Sequence, residues 1–112
     1  MQREKEGLRP KSVWREHGWW SIDIDGQVGA RKEFEALFEE LRNEMHKHEP
    51  GCLLYSLLKS RKSSSDYIVH EQYADQAALD FHSQSVHGAR YFPRMRALFD
   101  KIDVEYFDGV VS

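Results

Sequence analysis

The sequence predicts an α+β domain whose elements follow the order β-α-β-β-α-β. Three observations support this class. The chain has 112 residues, a length that suits a single domain. Short apolar segments, alternating in the first and the last of them, are typical of strands, and longer segments repeat apolar residues every three or four positions, as in amphipathic helices. The composition, 40% hydrophobic and 12% aromatic, is that of a folded globular protein rather than a disordered one.

Composition and charge also exclude several classes of partner. The formal net charge of −3 gives no electrostatic reason to expect nucleic acid or an anionic membrane surface. No apolar run approaches the roughly 18 residues of a membrane span. Cys52 is the only cysteine, so an intrachain disulfide and a cysteine-based metal site are excluded. The first residues are charged and do not resemble a signal peptide, and we therefore expect a cytoplasmic protein.

The N-terminal part divides into an arm and a first strand. Residues 1–18 are polar and aperiodic, so we expect an arm with Val13 and Trp14 as docking points, followed by a single domain over residues 19–112. Alternation predicts a strand from Trp19 to Asp25. Its residues Trp20, Ile22 and Ile24 share one side.

The longest predicted element is a helix from Ala30 to His48. Pro50 and Gly51 follow it and end it. The apolar positions form a single helical stripe, and they are Ala30, Phe34, Leu37, Phe38, Leu41 and Met45.

Two strands come next, over Gly51–Lys59 and Asp66–Tyr73, and a hairpin connects them most simply. In the first of these strands, strict alternation places Cys52, Leu54 and Leu58 on one face. Leu53, Tyr55 and Leu57 then lie on the other face. The strand is thus apolar on both sides.

The C-terminal part contains the second helical region and the last strand. Asp75 is a good N-cap for a helix that begins at Gln76, with a core stripe of Ala78, Phe81 and His82. A second stretch follows Gly88, where Pro93 either starts a short helix or kinks a longer one. Its apolar residues are Phe92, Met95, Leu98 and Phe99, and the last strand is Ile102–Phe107.

This order of elements is that of the ferredoxin-like fold, a four-stranded antiparallel sheet with helices on one face. Helices on one face leave the other face of the apolar Gly51–Lys59 strand uncovered. A second copy of the same sheet would cover it most simply, so we expect a homodimer through the sheet face.

Three motifs stand out together. The first is Glu49-Pro50-Gly51-Cys52-Leu53-Leu54-Tyr55, the second is the passage Tyr67–Leu79, and the third is formed by His82, Ser85 and His87. They resemble the EPGCLxY signature, the strand-to-helix junction and the HxxSxH run of one family, the antibiotic biosynthesis monooxygenase (ABM) domain. Together with the flanking elements, the resemblance covers roughly Trp19 to Val111. It implies a dimeric α+β barrel with a pocket between sheet and helices. It also implies oxygen chemistry on quinols or phenols without metal or flavin.

The resemblance makes His82 and His87 the candidate catalytic bases, since a neutral imidazole can deprotonate a phenolic hydroxyl near neutral pH. Five residues separate them, so on one continuous helix their side chains would differ by about 140° and could not converge. A break in the helix over Ser83–Gly88 would bring them together. The competing interpretation is a core or capping His82 and a surface His87.

A flat aromatic ligand would suit the aromatic residues near these histidines. Candidate substrate-binding residues are Tyr55, Glu71, Tyr73, Tyr91 and Trp20, with Trp19 beside them. For Glu71 the sequence favours a structural ion pair with Arg90 or Arg94. His70-Glu71 begins a HExxH-like run, but Ala74 replaces the second histidine, so that zinc site is rejected. His46 and His48 point apart on a helix, and Cys52 fits a small buried hydrophobe.

The leading hypothesis is a cofactor-independent monooxygenase that oxidises a small quinol or hydroxyaromatic with O2, with no metal and no cofactor. One alternative is an isomerase of a small carbonyl ligand that uses the same base. Another is a non-catalytic ligand-binding dimer. Haem degradation is a weaker alternative, because the haem-degrading relatives use a tryptophan where His82 stands here and an asparagine on the first strand, which has none.

Overall fold

The computed structural model of the chain describes residues 16–24, 26 and 28–111. In this part of the chain no helix combines the length and the apolar character that crossing a membrane requires. The elements in chain order are β1 (Glu16–Asp23), α1 (Val28–His48), β2 (Cys52–Lys59), β3 (Asp66–Tyr73), α2 (Gln76–Ser83), α3 (Val86–Arg96) and β4 (Lys101–Asp108).

The four strands form one antiparallel sheet in the order β2-β3-β1-β4. The helices cover one face of it, so the predicted ferredoxin-like α+β fold is confirmed. The α1 stripe is buried as predicted, and it packs on the inward side chains of β1 and β3. The residues at the centre of this core are Ile22, Ile24, Phe34, Leu37, Phe38, Leu41, Met45, Tyr67 and Val69.

The first strand differs from its predicted bounds. β1 begins at Glu16, so residues 16–18 of the predicted arm belong to the sheet, where Gly18 lies opposite Glu71. The rest of that arm, with Val13 and Trp14, lies outside the described residues, as does Asp25. β1 ends at Asp23.

The predicted faces of β2 were wrong at its start. Cys52 pairs with Tyr73 and Leu54 pairs with the next residue, Gln72, so Leu53 is the extra residue of a bulge. The bulge shifts the alternation by one position. Cys52 therefore packs against the core on the same side as Tyr55, rather than sharing a face with Leu54.

The second helical region consists of two helices. The predicted core stripe of α2 was wrong at Phe81, whose side chain is 55% exposed, whereas Leu79 is buried with His82. Pro93 lies inside α3, in agreement with the longer of the two predicted helices. Since α2 ends at Ser83 and α3 begins at Val86, the chain changes direction between the two histidines.

The sheet face opposite the helices is open in this single chain. We define the open face by Trp19, Leu54, Leu58, Ile68 and Phe107, which alternate with the inward residues along the register. Trp19, Leu58 and Phe107 are between 39% and 50% exposed. Tyr55 lies on the opposite side of β2, where it is buried under the helices.

Candidate active site

The end of α1 and the start of α2 approach each other closely at Gly51. A Cβ atom at this position would lie 2.5 Å from the Cβ of Ala78, so only glycine fits under α2. The Gly51 carbonyl also accepts a hydrogen bond from the backbone N–H of Ala74, just before the Asp75 N-cap. This packing brings α2 over Glu49, the first residue after α1.

Ser85 turns the chain between the two candidate bases. Its hydroxyl donates to the His82 carbonyl at 2.8 Å and accepts from the Gly88 backbone N–H at 3.0 Å. Ser85 thereby ends α2 and caps α3 with a single side chain. The helix break that convergence of the two histidines needs is therefore present, between Ser83 and Val86. It directs both imidazoles toward Glu49.

Replacing this cap should destabilise the protein. Ser85→Ala leaves the first turn of α3 without its side-chain acceptor, and we expect a loss of about 1 kcal/mol in the free energy of unfolding. Urea denaturation measures it. Ser83→Ala, two residues earlier and not a cap, is the matched control and should lose less. Equal losses in the two variants would show that Ser85 does not hold the junction.

Glu49, His82 and His87 form one buried polar cluster, with exposed fractions of 4%, 3% and 8%. The His82 Nδ1 atom lies 3.2 and 3.1 Å from the two carboxylate oxygens of Glu49. The His87 Nε2 atom contacts Glu49 Oε2 directly. The two predicted bases therefore converge on one carboxylate, and sequence reasoning assigned that carboxylate no role.

The charge state of Glu49 fixes the direction of these hydrogen bonds. Burial raises the pKa of Glu49, but the hydrogen bonds and positive potential of His82 and His87 outweigh burial and hold the pKa below its ordinary value. An ionised carboxylate has no proton to donate. Hence His82 donates through Nδ1 and His87 through Nε2, and the Nε2 atom of a neutral His82 carries a free lone pair.

Aromatic side chains from the sheet and from α3 surround His82. Its ring centroid lies 5.7 Å from that of Tyr55, 5.2 Å from that of Tyr73 and 5.2 Å from that of Phe92. The buried His82 Nε2 and the Tyr73 hydroxyl have no hydrogen-bond partner among the described residues. Such unpaired buried groups are costly to a folded protein and mark a site where a ligand can complete the bonding.

Glu71 lies in the same region and was assigned the wrong partner. Its side chain is fully buried, and neither carboxylate oxygen has a partner within normal hydrogen-bond distance among the described residues. The Tyr73 hydroxyl is close enough to favour the ionised carboxylate, but burial outweighs it. The predicted ion pair with Arg90 or Arg94 is therefore wrong. Both arginines lie over the Tyr91 ring instead. Burial raises the pKa of Glu71 above its ordinary value.

Gly18 makes room for this carboxyl group on the neighbouring strand. A Cβ atom at Gly18 would lie 2.6 Å from Glu71 Cγ. The sequence did not predict this contact, because the predicted first strand began at Trp19, one residue after Gly18.

The remaining predicted aromatic residues divide into two groups. Trp20 and Tyr55 line a cavity of about 10 Å³ between the sheet and α3, together with Val69 and Phe92. This volume suits about one water molecule. Tyr91 lies elsewhere, where its hydroxyl donates to Glu40 of α1. The structure thus brings Tyr55, Glu71 and Tyr73 close to His82. Trp20 lies farther out, beside Tyr55 in the small cavity.

Two other residues match their expected minor roles. Burial raises the pKa of Cys52 to about 12, which keeps its thiol protonated and unreactive near neutral pH. His46 is exposed, while the ring of His48 stacks on His87 with centroids 6.0 Å apart.

The fold and the site together define a class of protein. It is a small α+β domain with a carboxylate and two imidazoles buried under its helices. The comparisons identify the family within that class. The sequence model of the antibiotic biosynthesis monooxygenase family matches residues 22–94, about two thirds of the chain. The chain belongs to this family. No curated protein matches it.

Solved structures share the fold over nearly the whole chain. A protein from Caulobacter crescentus, provisionally described as an antibiotic biosynthesis monooxygenase, is 27% identical with a TM-score of 0.80, covering 96% of this chain and 99% of that one. A further antibiotic biosynthesis monooxygenase is 27% identical with a TM-score of 0.73, covering 86% and 99%. A conserved protein from Methanosarcina mazei, at 21% identity, TM-score 0.80 and coverage of 89% and 97%, shares the fold alone.

Proposed function

We propose that the chain is a cofactor-independent monooxygenase that oxidises a small quinol or hydroxyaromatic with O2, with His82 as the general base. One observation carries the proposal. The Nδ1 atom of a buried His82 is held by a carboxylate, and its Nε2 atom lies among aromatic side chains with no partner in the described part of the chain. A carboxylate that fixes the tautomer of an imidazole is a common way to prepare a base. The relatives described as monooxygenases support the reaction class.

The reaction needs no electrons beyond those of the substrate. The phenol gives its proton to His82 Nε2, and the phenolate reduces O2 as a ring carbon bonds to one oxygen atom. The resulting peroxide takes up the proton from His82. The carbon that bears the peroxide then loses its hydrogen as a proton. This step breaks the O–O bond, forms a carbonyl group and releases hydroxide, which combines with the proton lost from the carbon to give water. One hydroxyaromatic and one O2 thus give one quinone and one water.

The substrate would bind between the sheet and α3. Tyr55 and Phe92 offer ring faces on two sides of His82. Tyr73 and Glu71 offer polar atoms that no described residue pairs within hydrogen-bond distance. The present cavity of about 10 Å³ is too small for an aromatic ring. We therefore expect Phe92 and α3 to move outward when substrate binds, as mobile elements do in many enzymes.

Oxygen consumption tests this function. The protein is assayed in an oxygen electrode with a panel of reduced quinols and polyhydroxyaromatics, and autoxidation is subtracted. Uptake that saturates with one of these substrates supports the proposal. Absence of uptake above background over the panel contradicts it. Turnover of a carbonyl ligand under anaerobic conditions would indicate the isomerase instead.

We also propose that two copies pair through the open face. Its exposed apolar residues lie on the sheet face that no described helix covers, and the same face of a second copy offers a complementary apolar surface.

A charge placed on the open face should separate the copies. We expect the wild-type protein to have twice the mass of the chain by light scattering, and Trp19→Lys to have the mass of one chain. Phe81→Lys is the matched control, since Phe81 is also exposed but lies on α2, away from the open face. A wild-type monomer, or a Trp19→Lys dimer, would rule out this interface.

A further inference from the structure

His87 is not needed for the proposed base. An imidazole and one orienting carboxylate, His82 and Glu49, are sufficient for that role. Yet His87 is 8% exposed and contacts the same oxygen of Glu49 that accepts from His82. A second imidazole on one buried carboxylate oxygen therefore calls for a separate explanation.

The three side chains converge on a point rather than forming a line. One ligand atom from each of Glu49, His82 and His87 lies within 4.8 Å of the other two. They come from three separate places, the residue after α1, the last turn of α2 and the first turn of α3. We propose that Glu49, His82 and His87 bind one divalent transition-metal ion, and that zinc fits them best.

The donor set determines the class of metal. Two imidazole nitrogens and a carboxylate oxygen are the three protein ligands of many zinc sites that keep one position open. The same set also binds iron(II), whereas calcium and magnesium prefer oxygen ligands alone. Thiolate participation is not expected, because the Cys52 sulfur is not among the ligand atoms that converge in this cluster.

A route for the ion leads in from the surface. A cleft of about 390 Å³ lies where α1, α2 and α3 meet, and His87 is part of its lining together with Glu44, His48 and Ser85. An ion can therefore reach His87 first and then Glu49, with water from the cleft in the open position. The ring of His48, stacked on His87, helps to hold that imidazole in place.

Metal binding and the base role exclude each other. A metal ion on His82 Nδ1 leaves the ring proton on Nε2, so the ring would donate there and could not accept a substrate proton. The metal-bound protein is thus the form that lacks the free base. Binding itself can be measured whether or not the chain is an oxygenase, so the two proposals fail independently.

Cobalt(II) is the probe, since its visible absorption reports the ligands around it. Protein without a polyhistidine tag is titrated with Co²⁺ and then with Zn²⁺. We expect one Co²⁺ per chain, displaced by one Zn²⁺, and binding at least about 100-fold weaker in Glu49→Gln and in His87→Gln, because loss of a direct ligand costs more than loss of a supporting residue. His46→Gln removes an exposed histidine of α1 and should bind like the wild type.

The opposite results are equally clear. Wild-type protein that binds no Co²⁺ and no Zn²⁺, or folded Glu49→Gln that binds like the wild type, would overturn the site. Circular dichroism verifies that each variant is folded. If the variants do not fold, the imidazole NMR signals of the wild type decide, since one equivalent of Zn²⁺ should shift those of His82 and His87 and leave His46 unchanged. Unshifted His82 and His87 signals would contradict the proposal.

Discussion

His82→Gln should lower substrate-dependent oxygen uptake at least about 100-fold while leaving the protein folded. General base catalysis contributes roughly 10²- to 10⁴-fold to a reaction rate, and glutamine cannot accept the phenolic proton. The amide can still occupy the space of the ring beside Tyr73 and Glu49. The loss should therefore fall on kcat more than on KM, and steady-state kinetics in the oxygen electrode separates the two.

A matched variant keeps this result specific. His46→Gln changes an exposed histidine of α1 that is not a member of the buried cluster, and its rate should equal that of the wild type. A folded His82→Gln variant that retains the wild-type rate would remove His82 from the mechanism, even if oxygen uptake were confirmed.

Glu71→Gln should make the protein more stable and less active. The Glu71 carboxyl is fully buried without a hydrogen-bond partner among the described residues, so its charged form opposes folding. A neutral amide of the same shape has no charge to desolvate, so the larger part of that cost is removed. We therefore expect a higher free energy of unfolding at pH 7, measured by urea denaturation. Substrate affinity should fall, because a binding group is replaced.

The pH dependence of this gain follows from the raised pKa of Glu71. Below the pKa of the unfolded chain, about 4.5, the carboxyl is protonated in both states and costs nothing. As the pH rises above that value, the unfolded state ionises more readily than the folded one, so wild-type stability declines relative to the variant. The gain should therefore shrink toward zero when the pH is lowered through this window.

An exposed glutamate serves as the control for this comparison. Glu39→Gln on α1 should change stability little at any pH, because a solvated carboxyl keeps its ordinary hydration. A Glu71→Gln variant that is less stable than the wild type at pH 7 would show that the buried carboxyl has favourable interactions in the folded protein.

Most of the fold could be predicted from the sequence, because the spacing of apolar residues along a helix or strand depends only on that element. The stripe from Phe34 to Met45 and the alternation of Asp66–Tyr73 each bury one side, so spacing alone specifies which residues face inward. The errors arose where tertiary contacts override the pattern. A bulge at Leu53 shifts the register of β2, and Phe81 is exposed because His82 and Leu79 turn inward on α2.

The site was less accessible to sequence reasoning. His82 and His87 were identified through the family resemblance, but Glu49 lies 33 and 38 residues from them, so no spacing connects the three. The signal that could have found Glu49 is its place in the motif, as a carboxylate between the end of a helix and a glycine that admits a second helix. Glu71 was given an arginine partner because a buried charge normally has one.

The central claim is that the substrate's own electrons, released by deprotonation at His82, activate O2. Product analysis by mass spectrometry under ¹⁸O2 tests it most directly, with enzyme treated with a chelator and a substrate found in the oxygen electrode. The account predicts one ¹⁸O atom in each quinone formed, at a rate that chelation does not lower. Product without ¹⁸O, or turnover that disappears with the chelator and returns with a metal ion, would contradict it.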